Sequence, residues 1–310
     1  MSTQDYDKNT PFTIGTRGSP LALAQAYETR SRLMAAHGLP EAAFAIKVIK
    51  TTGDMVQNRP LSEIGGKGLF TKEIEEELLA GTIHIAVHSM KDVPTVLPDG
   101  LYISTVLERE VTCDALISHD VQSIEDLPKG AVFGSSSLRR RAQLLAIRPD
   151  LKMVEFRGNV QTRLKKLDDK VAVATLLARA GLNRLDQANL GVDVPATVLL
   201  PAIAQGAVGI EQRENDDATR EMLAPIHHEE TEVRISAERS FLKALDGSCR
   251  TPIAGLAEIK GDNLHFKGEV IRPDGSQTVK AERSGPLSDA VLMGDDAAQE
   301  LIAQGADTFF

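Results

Sequence analysis

Three groups of residues in this chain have types and spacings that could do chemistry. The first is Lys91-Asp92, inside His88-Ser89-Met90-Lys91-Asp92-Val93-Pro94 and directly after the apolar run Ile83-His84-Ile85-Ala86-Val87. The run predicts a strand, and Pro94 cannot continue a ladder. An ammonium and a carboxylate therefore stand side by side where open α/β sheets place their ligands. Taken alone, such a pair more often makes a solvated loop. The second group is a series of arginines, Arg17, Arg139-Arg140-Arg141, Arg157 and Arg163, each near the end of a predicted strand and the start of a predicted helix. A cation there opposes the helix macrodipole and is better justified by a bound anion. Guanidinium forks take carboxylates two-pronged, so several of them suggest a ligand with several carboxylates or phosphates. Any single one fits a surface ion pair equally well. The third is Cys249, beside Arg250 in Asp246-Gly247-Ser248-Cys249-Arg250-Thr251-Pro252. A neighbouring cation can lower a thiol pKa and raise its nucleophilicity, while a structural role stays open.

The elements that must position these groups read as follows. A strand Phe12–Arg17 turns through Gly18-Ser19-Pro20 into a helix from Leu21 to about Ala36, with Ser19 as N-cap, Pro20 as first helical residue and Gly38 as the stop. A strand from Ala45 to Ile49 leads to the glycine-rich Ile64-Gly65-Gly66-Lys67-Gly68-Leu69-Phe70 and a helix Thr71 to Leu79. That segment lacks the residue order of a phosphate loop and reads as a mobile loop instead. After a strand Leu101 to Val106 the design repeats: strand Ala115 to Ser118, a helical segment near Ser123 to Leu127, and strand Ala131 to Phe133. Gly134-Ser135-Ser136-Ser137-Leu138-Arg139-Arg140-Arg141 then opens a helix to about Ile147, three hydroxyls and arginines at one helix entrance. Strand Met153 to Phe156 ends in Arg157-Gly158-Asn159-Val160-Gln161-Thr162-Arg163 and another helix. An apolar run Ala172 to Ala178, a short strand Val198 to Pro201 and a return segment through Gly206 to Glu211 follow. The last part, from about His228, predicts a helix Glu232 to Leu245, three strands (Ile253 to Ile259, Leu264 to Val270, Gln277 to Ala281) with a Pro273-Asp274-Gly275 turn, and a helix near Ala297 to Gln304.

Composition narrows the classes. With 310 residues, two or three domains are expected. No apolar run approaches the roughly 20 residues of a membrane helix, and the polar, acidic start to Pro11 is not a signal peptide, which predicts a cytoplasmic protein. A net charge of −9 repels nucleic acid and anionic membranes, so any bound anion must be met by a local cluster. Only Cys113 and Cys249 are present, without a disulfide framework or metal spacing, and Cys113 reads as core or near-core. His84, His88 and His227-His228 read as structural, and no metal is expected.

The motifs Gly15-Thr16-Arg17-Gly18-Ser19-Pro20-Leu21-Ala22, Gly65-Gly66-Lys67-Gly68-Leu69-Phe70, Ala86 to Pro94, Ser135-Ser136-Ser137-Leu138-Arg139-Arg140, Arg157-Gly158-Asn159-Val160 and Gly206-Ala207-Val208-Gly209-Ile210-Glu211 stand in one order. Together they resemble the porphobilinogen deaminase (hydroxymethylbilane synthase) family, from about Phe12 to Ala306. The resemblance implies an α/β protein of two doubly wound domains like those of periplasmic binding proteins, with the active cleft between them, and a small α+β C-terminal domain. The expected domains are 1–107 with 206–224, 111–201, and 228–310.

The implied reaction is a transferase reaction of tetrapyrrole biosynthesis, joining four porphobilinogen units head to tail with loss of ammonia to give linear hydroxymethylbilane. By the same resemblance, Cys249 carries a dipyrromethane cofactor through a thioether. Ser89, Lys91, Asp92, Ser135, Ser136, Ser137, Arg139, Arg140 and Arg163 bind that cofactor. Arg17, Ser19, Gln25, Arg157, Asn159 and again Arg163 bind substrate. Asp92 is the catalytic carboxylate, stabilising positive charge on pyrrole nitrogen and moving the proton. Lys67 and Phe70 belong to the mobile loop. The implied enzyme is monomeric and cytoplasmic, binds neither nucleic acid nor membrane, and passes its product to the next enzyme. Three departures stand out: Val111-Thr112-Cys113 where the family often has Asp-Pro-Arg, Glu63 where a Lys often precedes the loop, and Val173 in place of Asp. The rival reading is a two-lobed binding protein for an organic polyanion, which needs neither Cys249 nor Asp92.

Overall fold

A computed structural model describes residues 11–55, 70–247 and 251–309. Cys249, Lys67 and Glu63 lie outside the described residues. The chain divides into two compact units.

The first unit, with residues 11–55, 70–109 and 207–232 among those described, contains β1 (Phe12–Arg17), α1 (Pro20–His37), β2 (Phe44–Ile49), α2 (Thr52–Met55), α3 (Lys72–Leu79), β3 (Ile85–Ser89) and β4 (Leu101–Val106). Its sheet runs β2-β1-β3-β10-β4, where β10 is Val208–Arg213, antiparallel to both neighbours. The return segment expected at Gly206 to Glu211 is thus a central strand. One face packs Ile14, Leu33, Val87 and Ile210 with α1, and the other packs Ala86 and Ile83 against Ile74 and Leu78 of α3. The entry to α1 forms as the residue types dictate: Ser19 caps it by accepting from the Ala22 N–H, Pro20 opens it, and Gly38 ends it at a left-handed φ of 63°.

The second unit, residues 110–206 and 233–309 of those described, holds a second five-stranded sheet. Its elements are β5 (Asp114–Ser118), β6 (Val132–Gly134), α4 (Leu138–Ile147), β7 (Lys152–Val154), α5 (Val160–Asp168), β8 (Ala174–Ala178), α6 (Arg179–Arg184) and β9 (Val192–Val194), in the order β7-β6-β8-β5-β9. The strand order repeats that of the first sheet, with β5 in the antiparallel place that β10 holds. The chain passes through α7 (Asp217–Leu223) of the first unit, and α8 (Glu229–Ala244), which enters the second unit at Val233, then leads to a meander of β11 (Ile253–Lys260), β12 (Asn263–Ile271) and β13 (Thr278–Pro286), closed by α9 (Ala290–Ala303). The Pro273-Asp274-Gly275 turn joins β12 to β13, Gly275 donating to the Arg272 carbonyl at 2.8 Å.

Some expected elements differ. Strand β3 is shifted by two residues, so His88 and Ser89 are on the strand and Met90–Asp92 is one 3-10 turn. Residues Ser123 to Leu127 form turns, because too few apolar positions share one face to pay for a helix nucleus. Val198 to Pro201 is also a turn, with the Val198 and Leu199 amides both bonded to the Pro195 carbonyl; the strand there is β9. Helix α9 starts well before the expected Ala297.

Candidate active site

In each five-stranded sheet the strand order reverses beside β1 and β6, the place where open α/β sheets bind ligands at their carboxyl ends. In the first unit β1 and β3 run parallel as neighbours, so Arg17 and Ser89 end adjacent strands on the carboxyl side of the sheet. The Ser89 hydroxyl and the buried Gln25 amide of α1 are bonded to each other, Nε2 to Oγ at 2.8 Å and Oγ to Oε1 at 3.1 Å. The Arg17 guanidinium lies over the Phe70 ring at 4.3 Å, which ties the strand end to a residue two positions before α3.

Lys91 and Asp92 are half-buried on the 3-10 turn. Two features fix that turn. Met90 is fully buried and its amide bonds to the Ala207 carbonyl at 3.0 Å. Gly209 of β10 has no side chain where a Cβ would overlap the Met90 sulfur. Beneath the strand end His88 pairs with the buried Glu211 at 3.0 Å. Burial pushes the nearby Glu75 carboxyl of α3 up, and the charge of Glu211 adds to the push against the opposing Thr71 hydroxyl. His84, as expected, is structural: its Nδ1 accepts from the Thr13 amide at 2.9 Å and its ring stacks on Phe12.

In the second unit the three serine hydroxyls between β6 and α4 accept backbone hydrogen bonds. Ser135 takes Ser137 N–H (3.3 Å), Ser136 takes Phe156 N–H (2.8 Å), and Ser137 caps α4 through Arg140 N–H (3.4 Å). Used as acceptors, they keep their own O–H groups to donate. Asn159 caps α5 by accepting from Thr162 N–H at 2.9 Å, and Arg163 donates from Nε to the Gly158 carbonyl at 3.0 Å. Burial, then the charges of Arg140 and Arg157, push Arg163 down to about 10. A guanidinium pressed by two neighbouring cations is suited to an anion, and several carboxylates on one ligand fit the three.

Sequence reasoning missed how Arg139 and Arg140 are held. Both are buried, and both donate to Asp114 on β5: Arg139 Nη2 at 2.7 Å, Arg140 Nη2 at 2.6 Å and Arg140 Nε at 3.1 Å. Gln205 adds a fourth bond at 2.9 Å. Burial would raise the Asp114 carboxyl, but the two arginines override it and hold it far below the usual carboxylate range. The available signal was an aspartate at the entrance of an apolar strand, which a buried position tolerates only with a cation. Arg139 also donates from Nη1 to the Gln143 amide oxygen (2.9 Å) and the Leu200 carbonyl (2.8 Å). Gln143 in turn reaches Glu269 of β12 at 2.6 Å. Arg139 Nε is buried without a hydrogen-bond partner among the described residues.

Among the described residues no cluster of His, Cys, Asp and Glu could hold a metal, and no helix is long and apolar enough to cross a membrane. Cys113 is half-buried next to β5, and burial pushes its thiol pKa up.

Comparison with known proteins decides the family. Residues 12–221 match "Porphobilinogen deaminase, dipyromethane cofactor binding domain", and residues 233–303 match "Porphobilinogen deaminase, C-terminal domain". The chain belongs to the porphobilinogen deaminase family. It is 60% identical over 309 residues to a porphobilinogen deaminase of Paracoccus denitrificans, covering 99% of each chain. It is 53% identical to one of Nitrobacter hamburgensis, covering 96% of this chain and 95% of the relative. Among solved structures, a TRAP periplasmic solute binding protein from Desulfovibrio salexigens is 11% identical, covering 72% of this chain and 74% of that one, with a TM-score of 0.44.

Proposed function

We propose that this chain is a hydroxymethylbilane synthase, joining four porphobilinogen molecules head to tail into linear hydroxymethylbilane. The observation that carries the reading is 60% identity over nearly the whole length to a porphobilinogen deaminase. At each joining the aminomethyl C–N bond breaks, ammonia leaves with the bonding pair and a proton, and a new C–C bond forms at a pyrrole α-carbon, which gives up its proton. Water then releases the finished chain. The binding-protein alternative leaves this relationship unexplained.

The family match names a dipyrromethane cofactor domain, and the arginine cluster fits such a group. When bound, the dipyrromethane supplies the free α-carbon on which the chain begins. Cys249 in the C-terminal part, 228–310, is its thioether attachment point; the other domains are 1–107 with 206–224, and 111–201. Ser89, Lys91, Ser135, Ser136, Ser137, Arg139, Arg140 and Arg163 hold its carboxylates. The acetate and propionate of incoming porphobilinogen go to Arg17, Ser19, Gln25, Arg157 and Asn159, with Arg163 serving both. Asp92 sets a negative charge against pyrrole N–H groups as positive charge develops on the ring, and carries the proton from the α-carbon. Lys67 and Phe70 belong to a loop that closes over the reacting groups. The enzyme works as a cytoplasmic monomer and hands its product to the next enzyme.

The test is incubation of the purified protein with porphobilinogen. The reading expects ammonia equimolar with porphobilinogen consumed, and a linear tetrapyrrole. Tight binding of porphobilinogen without ammonia release would establish the binding-protein alternative.

A further inference from the structure

We infer that Asp114 is the positioning residue of the arginine anion site: it orients Arg140, and with it Arg139, for the carboxylates of a bound dipyrromethane. The inference rests on the proposed function of that site.

The geometry has three parts. First, Asp114 is completely buried and its acceptor positions are filled. Arg139 Nη2 and Arg140 Nε bond to Oδ2, while Arg140 Nη2 and Gln205 Nε2 bond to Oδ1. A carboxylate this fully engaged cannot rotate without breaking several charge-assisted bonds. Second, the fork formed by Nε and Nη2 of Arg140 is committed to Asp114, and one Nη1 hydrogen goes to the Leu176 carbonyl at 3.0 Å. A guanidinium has five hydrogens, so one on each Nη is left for a ligand carboxylate, in an orientation that Asp114 sets. Third, both arginines sit in the first turn of α4, where the macrodipole and each other's charge disfavour them. One internal carboxylate keeps two cations there, so the pair of arginines still exceeds it by one positive charge.

Stability alone gives no reason for this arrangement. A buried ion cluster is no better for folding than apolar residues of similar volume. Its value is orientation. Gln143 serves Arg139 in the same way, its amide fixed by the Leu200 carbonyl at 3.0 Å and by Glu269.

The experiment measures loading rather than turnover. Full-length wild type, Asp114→Glu and Asp114→Asn are made in cells blocked in porphobilinogen synthesis, given porphobilinogen, and followed by intact mass, with thermal midpoints measured in parallel. Asp114→Glu keeps the charge but moves it by one methylene. It is expected to unfold cooperatively yet load about tenfold more slowly, the size of losing one hydrogen bond to a charged group. A core control, Leu301→Ala on α9, lowers the midpoint and loads at the wild-type rate. Wild-type loading by Asp114→Glu or Asp114→Asn overturns the inference, as does loading that only tracks the midpoint across all variants. If neither Asp114 variant folds, Gln205→Leu decides: it retains the carboxylate, removes one bond to it, and must load more slowly, and an unchanged rate overturns the inference. A wild-type chain that gains no mass overturns the reading of the site and this inference with it, whereas a wild type that loads beside an equally fast Asp114→Glu overturns the inference alone.

Discussion

The two five-stranded sheets share one strand order but use their equivalent ends differently. After β1 the first unit places Arg17 and a capping Ser19; after β6 the second places three serines and two buried arginines. After β3 the first carries half-buried Lys91 and Asp92 on a short turn, whereas after β8 the second carries Arg179, which is turned inward to Asp193 and the carbonyls of Ala188 and Leu190 at 2.9 Å. One sheet presents an acid on a turn braced from below, and the other presents cations braced by a buried acid. The lesson is that a shared topology fixes where chemistry gathers, and the residues packed behind each strand end decide which charge is displayed.

Substitutions can break this contrast. The largest effect is expected for Asp92→Asn, which should load dipyrromethane yet condense porphobilinogen about a thousandfold more slowly, without a change of thermal midpoint. Single-turnover rates on the loaded variant check it, and wild-type turnover would remove Asp92 from the mechanism. On the other sheet, Arg140→Met should act on stability first. It strips Asp114 of its two-pronged partner and should cost about 3–5 kcal/mol in denaturant unfolding. A midpoint equal to wild type would show that the buried acid does not depend on Arg140.

The brace under the Asp92 turn comes next. Gly209→Ala drives a methyl into the Met90 sulfur and should cost about 1–3 kcal/mol while also slowing condensation. An unchanged rate would detach that turn from the brace. The smallest effect concerns Glu75. Its carboxyl is raised above the ordinary 4.5, so the folded state holds a proton that the unfolded chain releases, and stability falls as pH rises from that value through the raised one. Glu75→Gln should therefore gain on wild type as pH rises through this window. Parallel stability curves would contradict the shift.

What the sequence made legible was local. Ser19, Pro20 and Gly38 act within one helix, and the strand-turn-helix units at Arg17, Ser137 and Asn159 carry their own caps, so neighbouring residue types suffice to place them. The long-range pairs were not legible. Asp114 meets Arg139 and Arg140 across 25 and 26 positions, and His88 meets Glu211 across 123. Nothing in residue spacing announces a pairing that only the sheet order creates. The misplaced strand at Val198 to Pro201 has the complementary cause, a short apolar run whose burial comes from packing in a turn rather than from a ladder.

The central claim is that this chain builds tetrapyrrole on a group held at Cys249. Peptide mapping by mass spectrometry of protein purified from cells that make porphobilinogen tests it most directly. The account predicts the added mass of two pyrrole units on the peptide containing Cys249, with Cys113 unmodified. An unmodified Cys249, or the adduct on Cys113, would contradict it.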